Sequence, residues 1–283
     1  MVGRKKTSFF NEVKLKVVSK IASWQHHFFS SGGKEVLIKA VAQAIPAYAM
    51  SVFKLRLGLC DDIQKVMAKF WWRSKEDKRG IHWARWGKMS HAKSRGGLGF
   101  REMSSFNRAL MAKQGWRLLQ YPELLVTRVL KARYYKDTDF SQARAGSNPS
   151  YIWRSILWGS QLLQKGIRWR IGNGEKIQIC RDNWIPRPET FKPLSTRNVT
   201  AEATVSELIS QENKWDQRKV RQWFMEKDVA EILRIPLPRR PRMDEVIWHF
   251  DKKGQYSVKN GYQLALRIKN PDKPSCSSKG FHH

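Results

Sequence analysis

Up to Lys165 the apolar residues of this chain recur every three or four positions, and at Ile167 the period drops to two. The switch predicts an α+β fold, mainly helical in its N-terminal half, with short β-hairpins and helices in its C-terminal half. Helical spacing covers residues 8–29 through Phe9, Val13, Val17, Ile21 and Trp24. It continues over 34–45, which ends at Pro46, then over 48–55 and up to Trp72. Two further helices are expected at 122–135 and 151–165. Beyond the switch, 167–171 and 176–180 alternate around Gly172-Asn173-Gly174-Glu175, the pattern of a hairpin. A second hairpin is expected over 245–258, turning at Lys252-Lys253-Gly254. Residues 186–200 read as a linker, 205–210 and 214–233 as short helices, and 259–268 as a closing helix. The expected domains are a helical region over 1–135, a boundary loop over 136–150, an α+β region over 151–268 and a disordered tail over 269–283.

Within the helical part, Gly96 to Leu119 is the stretch around which the rest is arranged. Ser94-Arg95-Gly96-Gly97 is a basic, glycine-bearing loop. Ser104 or Ser105 is placed to accept the first free N–H groups of the helix that follows. Lys113 and Arg117 then lie one turn apart on a cationic face.

Charge narrows the partner. The chain carries 54 Lys and Arg against 24 Asp and Glu, a net charge of +30 over 283 residues. The excess is spread along the chain: 29 against 10 up to residue 150, and 25 against 14 after it. With 13 Trp and 13 Phe interleaved, this is no basic disordered tail. Self-repulsion of this size calls for a polyanion, and nucleic acid is the expected partner. A membrane is not expected, because no stretch pairs a clean apolar face with a cationic one. Cys60, Cys180 and Cys276 are far apart, which argues against a disulfide framework or zinc knuckle and for a reducing compartment. The start lacks an apolar signal core, so a nuclear or cytoplasmic location is expected rather than secretion.

Three local patterns invite chemistry and are read without it. Gly33-Lys34 lacks the remaining residues of a phosphate-binding loop and reads as a helix break. Asp61-Asp62 opens a helix rather than sitting between apolar strands, so it reads as an N-cap. Trp71, Trp72, Trp83 and Trp86 could stack bases among Lys and Arg, but packing is the expected role.

Several stretches occur together in a telling order. They are Trp24-Gln25-His26-His27-Phe28-Phe29-Ser30-Ser31-Gly32-Gly33-Lys34, Ile45-Pro46-Ala47-Tyr48, Phe70-Trp71-Trp72, Gly96-Gly97-Leu98-Gly99-Phe100-Arg101, Ala112-Lys113-Gln114 and Ile171-Gly172-Asn173-Gly174. Over roughly residues 1–268 the chain resembles the region downstream of the polymerase core in plant LINE-type (non-LTR) retrotransposon proteins, and the ribonuclease H-like host proteins derived from them. The resemblance implies a thumb and connection region. Tyr256-Ser257-Val258-Lys259-Asn260-Gly261-Tyr262 looks like the start of the family's zinc-binding domain, without the Cys and His ligands that should follow. It also implies that the polymerase acids would lie before Met1 and the ribonuclease H carboxylates after His283. Arg56 and Cys180 stand where that family usually has proline and tryptophan.

The reading is a non-catalytic nucleic-acid-binding fragment gripping an RNA or DNA template–primer by its phosphates. The expected contacts are Arg95, Arg101, Lys113 and Arg117, then Arg168 and Arg170. No catalytic residue, metal ligand or cofactor is expected within the chain, and the oligomeric state is open. Two alternatives stay open: a non-functional relic or mis-cut gene model, and a part of an active polymerase and ribonuclease H whose catalytic domains lie outside the chain.

Overall fold

The computed structural model describes residues 6–24, 29–73, 81–240 and 242–271. The architecture is α+β and mainly helical, with a single two-stranded sheet among the described residues. Its contacts divide the chain into two units: one takes 1–162 and the chain from Gly261 onward, the other Leu163–Asn260.

In the first unit, α1 (Lys6–Ala22) buries Phe10, Val13, Val17 and Ile21, a stripe set by three- and four-residue steps. After Ser30, whose hydroxyl accepts from the Gly33 N–H at 3.1 Å, α2 runs over Ser31–Leu37 and widens into a π-type turn at Ile38–Ala42. A short α3 (Ala47–Val52) follows Pro46. Then α4 (Leu57–Trp72) packs along α1 with Cys60, Ile63, Met67 and Phe70 buried. The Asp61-Asp62 pair does not cap α4. Its N-cap is Arg56, and Asp62 instead pairs with Lys14 of α1 at 2.7 Å. Lys34 donates to the Arg73 carbonyl at 2.7 Å, a cation placed on the last free carbonyls of α4. The Gly33-Lys34 step therefore serves two helix ends.

A brief α5 (Trp86–Met89) leads into the glycine loop. Gly97 is required there, because a Cβ would stand 2.2 Å from the His91 carbonyl oxygen. Phe100 stacks on Trp86 with ring centroids 5.0 Å apart and meets Trp71 edge-on. Next comes α6 (Met103–Gln120), with nine of its eighteen residues buried, too many for one stripe. Its cap is not Ser104 or Ser105 but Glu102, whose carboxylate accepts from the N–H groups of both serines at 3.2 and 2.9 Å. A carboxylate at a helix start satisfies two orphan donors and meets the positive dipole end.

Then α7 (Leu125–Tyr134) and α8 (Tyr151–Leu163) close the helical run. The loop between them is part of this unit. Trp153 of α8 lies nearly parallel to Tyr134 and Tyr135, at 4.7 and 5.6 Å, with Phe140 from the loop against its edge. Gly159 of α8 lies on the α6 backbone, where a Cβ would come within 2.4 Å of the Met111 carbonyl carbon. Gly159→Ala is expected to cost about 1–3 kcal/mol through this overpacking, read as a lower urea midpoint at unchanged slope.

The second unit overturns the hairpin at 167–180. The strand β1 (Ile167–Arg170) forms, but 176–180 is not its partner. The intervening loop is held by Asp244, which accepts from the N–H groups of Gly172, Gly174 and Lys176 at 2.7, 2.9 and 2.9 Å. Gly174, at φ +77°, has the Ser206 nitrogen 2.6 Å from where a Cβ would be. Residues 177–179 then bond to 203–205, Val205 N–H to the Ile177 carbonyl at 2.9 Å and Ile179 N–H to that of Ala203 at 3.0 Å. Nor are 186–200 a linker. Phe191 is buried, its carbonyl accepts from Trp184 and Ile185, and Thr196 bridges to Phe224.

The expected helix over 214–233 is two, α9 (Gln217–Trp223) and α10 (Glu226–Leu233), parted by the extended Phe224. Their inner faces close a core of Ile177, Ile179, Trp184, Leu208, Val220 and Ile232. The partner of β1 is β2 (Glu245–Trp248), antiparallel, with Ile167 opposite Trp248 and Arg170 opposite Glu245. The second expected hairpin keeps its turn, where Gly254 sits at φ +76°, but not its second strand. Asp251 accepts from Lys253 and Gln255 instead, and α11 (Val258–Lys269) begins. The latter part of α11 belongs to the first unit. The Glu102 N–H donates to the Tyr262 hydroxyl at 2.8 Å, and Lys269 pairs with the Glu102 carboxylate at 3.1 Å. Most of the expected tail lies outside the described residues.

Candidate nucleic-acid interface

Of the six cations named from sequence, four fall in the first unit and two in the second. In the first unit Arg95 is exposed at the end of a 3-10 turn over Lys93–Arg95. Arg101 is half-buried, its guanidinium 4.5 Å from the centroid of the Phe106 ring. Lys113 and Arg117 are exposed one turn apart on α6. Between them Gln114 donates to the Ser51 carbonyl at 3.1 Å and accepts from Arg117 at 3.2 Å, so Ala112-Lys113-Gln114 is half anchor and half open cation. Arg101 precedes the N-cap of α6, and Arg117 lies about 21 Å along the helix from its first residue, Met103, at 1.5 Å per residue.

The pair in the second unit is already occupied. Arg168 donates to His249 Nδ1 at 3.2 Å and to the Trp169 carbonyl at 3.1 Å, and Arg170 pairs with Glu245 at 3.4 Å. Burial, then the charge of Arg170, lowers the Arg168 pKa to about 10. Burial, then Arg168, lowers that of His249 to about 4. His249 is thus a neutral acceptor in the folded chain. Because the unfolded histidine titrates near its ordinary 6.5, the unfolded chain takes the proton first as pH falls. The contribution of this contact to stability is expected in full above that value and to be lost progressively down to about pH 4. His249→Gln should remove that part of the slope when denaturation midpoints are compared across this window.

Other groups are committed to structure. Glu35 holds Lys39 and Lys93 at 2.7 and 2.8 Å, and Asp228, fully buried, holds Arg187 at 2.7 Å. Burial pushes the Cys60 thiol up to about 12, which leaves no thiolate nucleophile at neutral pH. Among the described residues no three His, Cys, Asp or Glu side chains are grouped to hold a metal ion, and no helix is long and apolar enough to cross a membrane. Trp71, Trp72 and Trp86 are half-buried against the core of the first unit, while Trp83 is 78% exposed.

Sequence reasoning missed a denser grouping. Tyr151, Arg154, Ser155 and Trp158 recur at i, i+3, i+4 and i+7 along α8 and share one face. The Lys54 ammonium lies 4.9 Å and the Arg108 guanidinium 5.8 Å from the centroid of the Trp158 ring. The Arg154 guanidinium lies 5.9 Å from that of Tyr151. The spacing along α8 was legible; the arrival of Lys54 and Arg108 from other elements was not.

Comparison with known proteins adds two relatives. An uncharacterized mitochondrial protein of Arabidopsis thaliana is 41% identical over 153 residues, 54% of this chain and 99% of that protein. A protein of Arabidopsis thaliana named a putative ribonuclease H protein is 29% identical over 279 residues, 95% of this chain. The chain spans only 44% of the length of that second relative. No protein-family profile matches it.

Proposed function

The chain belongs to the family of that Arabidopsis mitochondrial protein, and from this premise we propose that it is a nucleic-acid-binding part of a retroelement-derived protein. In this reading it grips the phosphate backbone of an RNA or DNA template–primer and carries no catalytic set of its own. The polymerase and ribonuclease H chemistry belongs to domains outside this chain. The observation that carries the reading is the charge: a net +30 with cations such as Arg95, Lys113 and Arg117 exposed on the helical unit. The sequence resemblance to the LINE-type region downstream of the polymerase core, and the ribonuclease H name of the longer relative, point the same way. Contacts of this kind give affinity without base readout.

The test is fluorescence anisotropy with labelled single-stranded RNA and duplex DNA across a salt series. With about six phosphates neutralised, affinity falls on the order of 10³-fold between about 50 and 200 mM salt. Absence of binding, or binding indifferent to salt, refutes the proposal. Nucleotide incorporation by the isolated chain in a primer-extension assay with Mg²⁺ would refute its non-catalytic half.

A further inference from the structure

The cations of the helical unit differ in what they meet. Lys14, Lys39, Lys93 and Lys269 each lie within about 3 Å of a carboxylate, Lys39 and Lys93 sharing that of Glu35. Lys54, Arg56, Arg108 and Arg154 have no ion pair among the described residues. Lys54 and Arg108 instead lie over the Trp158 ring and Arg154 over that of Tyr151, while Arg56 stands two residues after Lys54 on the same segment. A ring face orients a cation without cancelling its charge, so a cluster built this way keeps its full positive field.

The scaffold beneath this cluster is rigid. The segment between α3 and α4 that bears Lys54 and Arg56 is tied to α8 twice: the Lys54 N–H donates to the Ser155 hydroxyl at 2.9 Å, and the Tyr151 hydroxyl donates to the Lys54 carbonyl. The same segment is tied to α6 through Asn107, which accepts from the Leu55 N–H at 2.8 Å. Arg108 is the next residue of α6. Its Nε is buried with no hydrogen-bond partner, and burial lowers its pKa. Burial raises the pKa of the Tyr151 phenol, while the charges of Arg56 and Arg154 pull it down. Concentrating uncompensated cations on one fixed face costs stability unless an anion takes them up.

We infer that the face formed by Lys54, Arg56, Arg108 and Arg154 around Tyr151 and Trp158 is the principal phosphodiester-binding surface of the helical unit. This deepens the nucleic-acid reading and rests on it. The occupant is a nucleic-acid backbone: four fixed positive charges from three chain segments suit a polyanion with regularly spaced charges, and the rings serve the cations rather than a base.

The experiment compares the full chain with the triple variant Lys54→Gln, Arg56→Gln, Arg154→Gln and with a control triple, Lys20→Gln, Lys69→Gln, Lys131→Gln. Both triples remove three exposed charges, and circular dichroism verifies that each folds. The probes are a labelled single-stranded RNA, a duplex DNA and vesicles of phosphatidylcholine with phosphatidylserine. The cluster triple is expected to lower the magnitude of the salt slope by about 3 and to weaken nucleic-acid binding about 10-fold or more at near-physiological salt. The control triple should change the slope by less than about 1. Equal losses in the two triples would overturn the inference in favour of diffuse attraction, with the broader proposal intact. A cluster triple that loses vesicle binding while keeping nucleic-acid binding would also overturn it. Failure of the unaltered chain to bind nucleic acid sinks the broader proposal itself.

Discussion

Asn107→Ala is expected to destabilise the helical unit by about 3–5 kcal/mol, one of the two largest losses from a single substitution in this chain. Asn107 is buried, and its amide makes three bonds to backbone: Oδ1 accepts from Leu55 N–H, and Nδ2 donates to the Met50 and Phe53 carbonyls, each at 2.8 Å. These carbonyls belong to the last turn of α3 and its exit, groups that a helix end leaves without partners. Truncation strands all three, and each unpaired buried group costs about 1–3 kcal/mol, partly offset where water enters. Asn107→Asp is a sharper probe. It keeps the acceptor for Leu55 but turns a carboxylate toward two carbonyl oxygens, so it should be at least as damaging at neutral pH. Urea denaturation followed by tryptophan fluorescence measures both. A loss below about 1 kcal/mol in the alanine variant would show that the segment after α3 is held by its apolar neighbours Phe53 and Leu55 instead.

Asp228→Ala should cost the second unit a comparable amount, about 3–5 kcal/mol, by leaving the charge of Arg187 without its buried partner. Asp228 is fully buried at the start of α10; it pairs with Arg187 at 2.7 Å and accepts from the Leu194 N–H at 2.8 Å. It therefore fastens the 186–200 segment to the helices beneath. Removing both charges tests this assignment. Arg187→Met with Asp228→Leu should recover a large part of the loss, because a buried pair stabilises little over an apolar one of similar volume. A double variant as unstable as Asp228→Ala would mean that the backbone bond to Leu194, rather than the ion pair, carries the effect.

These two side chains also explain what was legible in the sequence. Helices with one buried stripe, such as α1 and α4, follow from the spacing of Val13, Val17 and Ile21 or of Ile63, Met67 and Phe70. The position of α6 at the centre was not readable from a stripe, since residues such as Ser105, Asn107 and Gly115 are buried on a helix packed on several sides. Sheet pairing was misread because alternation in 167–180 specifies extended chain, not partner. Asp244 holds the loop, and β1 finds β2 some seventy-five residues later. The 186–200 segment looked like a linker because its prolines and threonines hide that Phe191 is buried and that Asp228 lies below it. For the candidate interface, charge singled out residue types but not which of them were already paired within the chain. Arg168 is occupied by His249, and Lys54 and Arg108 reach Trp158 from far along the chain.

The return of the chain to its first unit has a consequence for synthesis. On the ribosome the helical unit begins to emerge before the second unit and is finished after it, because Glu102 waits for Tyr262, a partner 160 positions downstream. At about 5–20 residues per second that wait is on the order of 10 s or more. Throughout it the cap of α6 lacks Lys269, and the surface that α11 will cover stands open. The second unit, whose Leu163–Asn260 segment is complete before α11 has emerged in full, can fold during the delay. The part made earlier therefore depends on a part made later, and a nascent chain halted before α11 leaves the central helix half-anchored.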